Sequence, residues 1–101
     1  MRQAILVNER DNVVTALLPL REGVVVEIEG ARGGPSRSIA LLEDIAFGHK
    51  FAVEEIEKGT PVVKYGETIG MPTRSIHPGE WVHVHNIEST RGRGDLDETR
   101  T

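Results

Sequence analysis

The sequence has no cysteine among its 101 residues, few aromatic side chains (two phenylalanines, one tryptophan, one tyrosine) and no long apolar run. The first absence excludes a disulfide framework, a thiolate nucleophile and a thiolate metal site. Any metal must therefore be held by His, Asp or Glu, and a reducing cytoplasm suits the chain. Near the start, apolar residues extend only from Ala4 to Val7, far short of a signal peptide's hydrophobic region, and no later run approaches a membrane span. An unexported, cytoplasmic protein with no membrane partner is expected. An excess of positive charge is also missing. Twelve Lys plus Arg against 16 Asp plus Glu leave a net charge of -4, which supplies no general field for phosphate backbones, so nucleic acid is not expected as a partner. The length suits one small domain with a limited core.

Glycine, by contrast, is abundant at 11 residues, and part of it is regularly placed. An aliphatic residue is followed three positions later by glycine in Leu20/Gly23, Ile45/Gly48, Ile56/Gly59 and Ile76/Gly79. After each glycine comes a short run of strand-forming residues, at 24–26, 51–53, 61–63 and 81–85. The aliphatic residue would anchor a turn in the core, and glycine would accept the positive φ that strains other residues. The unequal spacing of these units argues against a solenoid or propeller. The expected fold is mostly β: a compact arrangement of short strands and tight turns with at most one short helix. That helix is expected within 38–46, where Ile39, Leu42 and Ile45 have helical spacing and Gly48 follows.

The segment 30–37, rich in glycine and carrying Arg32 and Arg37, reads as an exposed turn whose arginines are solvated. A domain is expected over 1–87, followed by a mobile polar tail or linker over 88–101, which has almost no apolar content to offset ordering entropy. The Arg93-Gly94-Asp95 triplet within it recurs by chance and carries no functional reading.

Four segments occur in a distinctive order: Asp11-Asn12-Val13 with Ala16-Leu17; Gly48-His49-Lys50-Phe51-Ala52; Ile56-Glu57-Lys58-Gly59 leading to Lys64-Tyr65-Gly66 and Ile69-Gly70; and Gly79-Glu80-Trp81-Val82-His83-Val84-His85-Asn86. Together they resemble the amino-terminal domain of altronate and galactarate dehydratases and the separate small subunit of sulfolactate sulfo-lyase. The resemblance implies a β-clip fold of the SAF type. It also implies a small subunit or amino-terminal domain of a hydroxyacid lyase, completing or capping an active site on a separate large catalytic chain. The substrate would be a sugar acid or a sulfonated hydroxyacid, and a homo-oligomer is compatible with this reading. A sulfo-lyase alpha subunit and a non-catalytic carbohydrate-binding or assembly module are the alternatives.

Such lyases eliminate a group beta to a carboxylate, which requires a base, stabilisation of an enediolate and help for the leaving group. A divalent metal, iron(II) or manganese(II), would meet the second need, bound if necessary only together with the large subunit. His49, His83 and His85 are the expected metal ligands, and His49, His85 and Lys64 the expected catalytic groups. Lys50, Tyr65, Gly66 and Asn86 are the expected substrate contacts. If 81–86 were a strand, His83 and His85 would share one face with Cα atoms about 7 Å apart, close enough to converge on one ion. The residues alone equally allow histidines that merely face solvent, and a lysine and tyrosine at a strand end or interface. His77, before Pro78, reads as exposed.

Overall fold

The four aliphatic–glycine units fold into four copies of one turn in the structure, a computed structural model that describes residues 3–89. In each, a backbone N–H donates to the carbonyl three residues earlier: Val24 to Arg21, His49 to Ala46, Thr60 to Glu57 and Glu80 to His77, at 2.9–3.1 Å. The glycine is the third residue of the turn, with φ between 83° and 94°, as a type II turn requires. The preceding aliphatic residues are buried and pair two by two, Leu20 with Ile45 and Ile56 with Ile76. Each pair exchanges two backbone hydrogen bonds of 2.8–2.9 Å. Every turn is thereby pinned at its base to another turn.

Strands β1 (Ala4–Ile5), β2 (Val13–Ala16), β3 (Val25–Ile28), β4 (Arg37–Ala40), β5 (Lys50–Ala52), β6 (Val62–Lys64), β7 (Glu67–Pro72), β8 (Trp81–Val82) and β9 (Ile87–Ser89) form three antiparallel sheets. The central one runs β1-β2-β5-β8; β3-β4 and β6-β7-β9 are the others. Strand alternation gives the central sheet two apolar faces. Ala4, Val14, Ala16 and Phe51 project into one core, closed by Val26, Ile28, Ile39 and Leu41 of the β3-β4 side. Val13, Ala52 and Val82 project into a second, closed by Val62, with Ile69 and Ile87 packed against it. Buried Asp11 and Asn12 tie the first strands to the β6-β7 hairpin. Asn12 accepts from Val63 N and donates to Pro61 O, while Asp11 Oδ1 accepts from Gly66 N at 2.8 Å.

The mostly-β architecture is as expected, but the segment 38–46 is not helical. The described residues contain no α-helix, only a 3-10 turn at Ala31–Gly33 in the glycine loop. Residues 37–40 instead pair with β3, so the relevant period is two: Ile39 and Leu41 are buried whereas Leu42 is exposed. The strand expected over 81–85 also ends early, at Val82, and a turn follows. Glu88 and Ser89 lie in β9, their backbone pairing with Met71 and Gly70 whatever their side chains. Gly70 permits this approach, since a Cβ there would sit 2.6 Å from the Glu88 carbonyl oxygen. The tail from 90 to 101, with its Arg93-Gly94-Asp95 triplet, lies outside the described residues. Among the described residues no helix is long and apolar enough to cross a membrane.

Candidate functional site

β8 is an edge strand of the central sheet, and the chemistry-bearing residues gather where it meets β5. Its register pairs Phe51 with Trp81 and Lys50 with Val82, so one further step sets His49 opposite His83. Alternation then puts His49, Trp81 and His83 on one face and Lys50 on the other. The rings follow this placement. The His49 centroid lies 5.6 Å from that of Trp81 and 5.5 Å from that of His83, and His83 stacks on Trp81 at 5.1 Å with planes 10° apart.

His85 reaches the same cluster by a different route, its ring 4.8 Å from Trp81. It belongs to the turn after β8, which fully buried Asn86 holds. The Asn86 amide donates to Trp81 O at 2.7 Å and its oxygen accepts from His83 N at 2.9 Å. Asn86, an expected substrate contact, thus has its side chain turned inward onto backbone. Its observed effect is to set the positions of His83 and His85.

The Trp81 indole N–H donates to His49 Nδ1 at 3.1 Å. Indole can only donate, so Nδ1 presents a lone pair and a neutral His49 ring carries its proton on Nε2. His49, expected as base or ligand from the sequence, is therefore arranged as a donor at Nε2. His49 and Trp81 line a pocket of about 420 Å³ together with Arg21, Asp44 and Ile45. Trp81 was missing from the expected site residues, although it is the sole tryptophan and alternates with His83. Its backbone N–H is also held, by Glu43 Oε2 at 3.0 Å.

On the opposite face, Lys50, Lys64 and His83 line a second pocket of about 330 Å³ with Ile69, Val84 and Ile87. Burial, and then the charge of Lys64, hold the Lys50 ammonium below its ordinary range. Lys64 Nζ sits 4.8 Å from the Tyr65 ring centroid. Tyr65 and Gly66 form the tip of the β6-β7 hairpin with φ of 56° and 78°, a primed two-residue turn. Gly66 is turned towards Asn8 and Asp11 instead of a pocket. His77 is exposed, its Nδ1 2.7 Å from Glu55 Oε2.

His49, His83 and His85 do not form a closed metal site by themselves: among the described residues no three His, Asp or Glu side chains are disposed to hold an ion. The Trp81 bond to His49 Nδ1 and the stacking of His83 on Trp81 direct these rings at each other's faces and edges, not at a common point.

The chain is 39% identical to altronate dehydratase of Escherichia coli over 98 residues, covering 97% of this chain but 18% of that protein. It is 35% identical over 89 residues to altronate dehydratase of Bacillus subtilis, covering 88% of this chain and 17% of that one. With (2R)-sulfolactate sulfo-lyase subunit alpha of Chromohalobacter salexigens it shares 43% identity over 80 residues, 68% of this chain and 84% of that subunit. The chain thus spans less than a fifth of the altronate dehydratases but most of the sulfo-lyase alpha subunit. Residues 2–90 match the model of the altronate/galactarate dehydratase SAF domain, and the chain belongs to that family.

Proposed function

We propose that this chain is the accessory domain or small subunit of a hydroxyacid lyase, of the altronate dehydratase type, which completes an active site on a large catalytic chain. The observation that carries this reading is the His49–Trp81–His83–His85 cluster at the β5–β8 edge, a preset donor beside an open pocket. Among the described residues this half-site is not completed into a full catalytic constellation. Coverage of under a fifth of the altronate dehydratases, and of most of a sulfo-lyase alpha subunit, supports the division into a small and a large part.

Elimination beta to a carboxylate expels hydroxide or sulfite, and loss of hydroxide is aided by a proton donor. His49 Nε2–H suits a supporting role, donating a hydrogen bond that stabilises the charge developing on the leaving oxygen, while the indole bond at Nδ1 holds the ring in the tautomer that can do so and the proton itself comes from the large chain. His83 and His85 pack around Trp81 and fix its plane, and Asn86 fixes the turn that carries them. The base for the alpha proton comes from the large chain. A divalent metal, iron(II) or manganese(II), would supply charge stabilisation to the enediolate. Its ligands would come chiefly from the large chain, because this chain's histidines do not converge.

A replacement experiment tests this. In the E. coli altronate dehydratase, the segment matching this chain is deleted and this chain is supplied, fused or separately, with turnover of altronate, galactarate and sulfolactate followed. The reading expects activity lost on deletion and restored by this chain. Full activity of the large part alone would reject it. The sulfo-lyase alternative is favoured if the restored turnover appears on sulfolactate when the large part is that of the sulfo-lyase.

A further inference from the structure

The pocket on the opposite face from His49 is built unlike a solvated surface. Two lysines from different sheets, Lys50 of the central one and Lys64 of β6, converge on it with His83. No carboxylate is among its lining residues. Lys50 is half-buried, with apolar Ile69, Val84 and Ile87 around the same space. Thr15, the cross-strand neighbour of Lys50, carries a buried hydroxyl without a hydrogen-bond partner among the described residues. Folding that draws two cations to one partly apolar pocket costs free energy. An anionic ligand of small size returns that cost.

We infer that the Lys50–Lys64–His83 pocket binds the acid group of a small hydroxyacid, a carboxylate or sulfonate, through charge-assisted hydrogen bonds from the two ammonium groups. The pocket holds one compact anion and the chain is acidic overall, so an extended polyanion is not its ligand. Carboxylate and sulfonate both offer planar or tetrahedral oxygens that a lysine meets as a point charge, without the bidentate geometry an arginine would impose. His83 is common to both faces, lining this pocket while its ring lies 5.5 Å from that of His49. The anion site stands on its own geometry; only its assignment to the substrate rests on the lyase reading above.

The test titrates the 101-residue chain with galactarate, sulfolactate, inorganic phosphate and the neutral polyol galactitol, following backbone amides by NMR. The expected result is shifts at Lys50, Lys64, His83 and Ile87 for both organic acids, none for galactitol, and phosphate weaker by about tenfold or more. Lys50→Met and Lys64→Met each weaken acid binding by about tenfold, the scale of one charge-assisted contact, while keeping a dispersed spectrum. Shifts elsewhere, binding indifferent to both substitutions, or phosphate binding as tight as the acids would overturn the inference. The two readings separate. Acid binding with no rescue of the truncated dehydratase defeats the lyase reading and spares the anion site. Rescue without acid binding at these residues does the reverse.

Discussion

At the scale of single residues, the account turns on one donor and one repulsion. Trp81 decides what His49 can do, because its N–H occupies Nδ1 and leaves the proton on Nε2. Trp81→Phe keeps a ring against His83 and His85 but removes that donor. We expect it to lower turnover of the restored lyase by about tenfold, part of the effect of losing one preorganised donor, and to change the pH profile, with unfolding stability reduced by only about 1 kcal/mol. A purely structural Trp81 would leave the pH profile unmoved. Lys50 is a residue kept against stability: burial and then Lys64 lower its pKa from 10.5. A base whose folded value is depressed carries a penalty that is full below that value and is released as pH rises towards the unfolded one. Lys50→Met is therefore expected to melt higher than the parent at pH 7, with the gap narrowing as pH rises through the folded value of Lys50 towards 10.5. Thermal unfolding across that range checks it.

At the scale of elements, the four type II turns are separate units with distinct margins. Gly48 and Gly79 have similar positive φ, but a Cβ at Gly48 meets nothing within 4 Å whereas at Gly79 it would lie 2.2 Å from the Ala40 carbonyl oxygen. Gly48→Ala should cost about 1 kcal/mol from φ strain alone. Gly79→Ala should cost clearly more, because backbone must move; urea denaturation of the two variants compares them. The last of these turns carries an ion pair, Arg74 Nη1 to Glu80 Oε1 at 2.8 Å. Burial raises the Glu80 carboxyl, but the Arg74 bond, the His77 backbone N–H and the charges of Arg74 and His77 outweigh it, leaving it below the ordinary 4.5. A depressed carboxylate contributes stability above its unfolded value and loses it as pH falls through the folded one. Arg74→Met should thus cost less than about 1 kcal/mol at pH 7, since Arg74 is half exposed, and the deficit should vanish in acid unfolding below pH 4.5.

These turns are also where the sequence was most readable. Glycine after an aliphatic anchor declares itself locally, because positive φ and burial are properties of single positions. What pairs with what is not local: nothing in Leu20 names Ile45 as its bridge partner. The helical spacing in 38–46 misleads because β3, distant in sequence, supplies strand hydrogen bonds that outweigh it. The turn after Val82 depends on Asn86 reaching back to His83 N and Trp81 O, which strand propensity cannot register. His49 and His83 were identifiable as chemical groups, but their apposition, and the role of Trp81 between them, required the β5–β8 register.

At the scale of the whole molecule, two cores on either face of one sheet hold a polar edge at β5–β8 between them. One face presents the His49 donor and the other the Lys50–Lys64 pair, with His83 shared. Under the proposed function this edge is half of an active site on a rigid support, as an accessory domain needs. The most direct measurement of that claim is turnover of a truncated altronate dehydratase supplied with this chain, compared among the parent, His49→Gln and, as a surface control, His77→Gln. The account predicts that the parent and His77→Gln restore turnover alike and that His49→Gln binds the large part equally well but restores less by about a hundredfold, the scale of one displaced preorganised donor. Equal restoration by His49→Gln, or full turnover with no added chain, would contradict it.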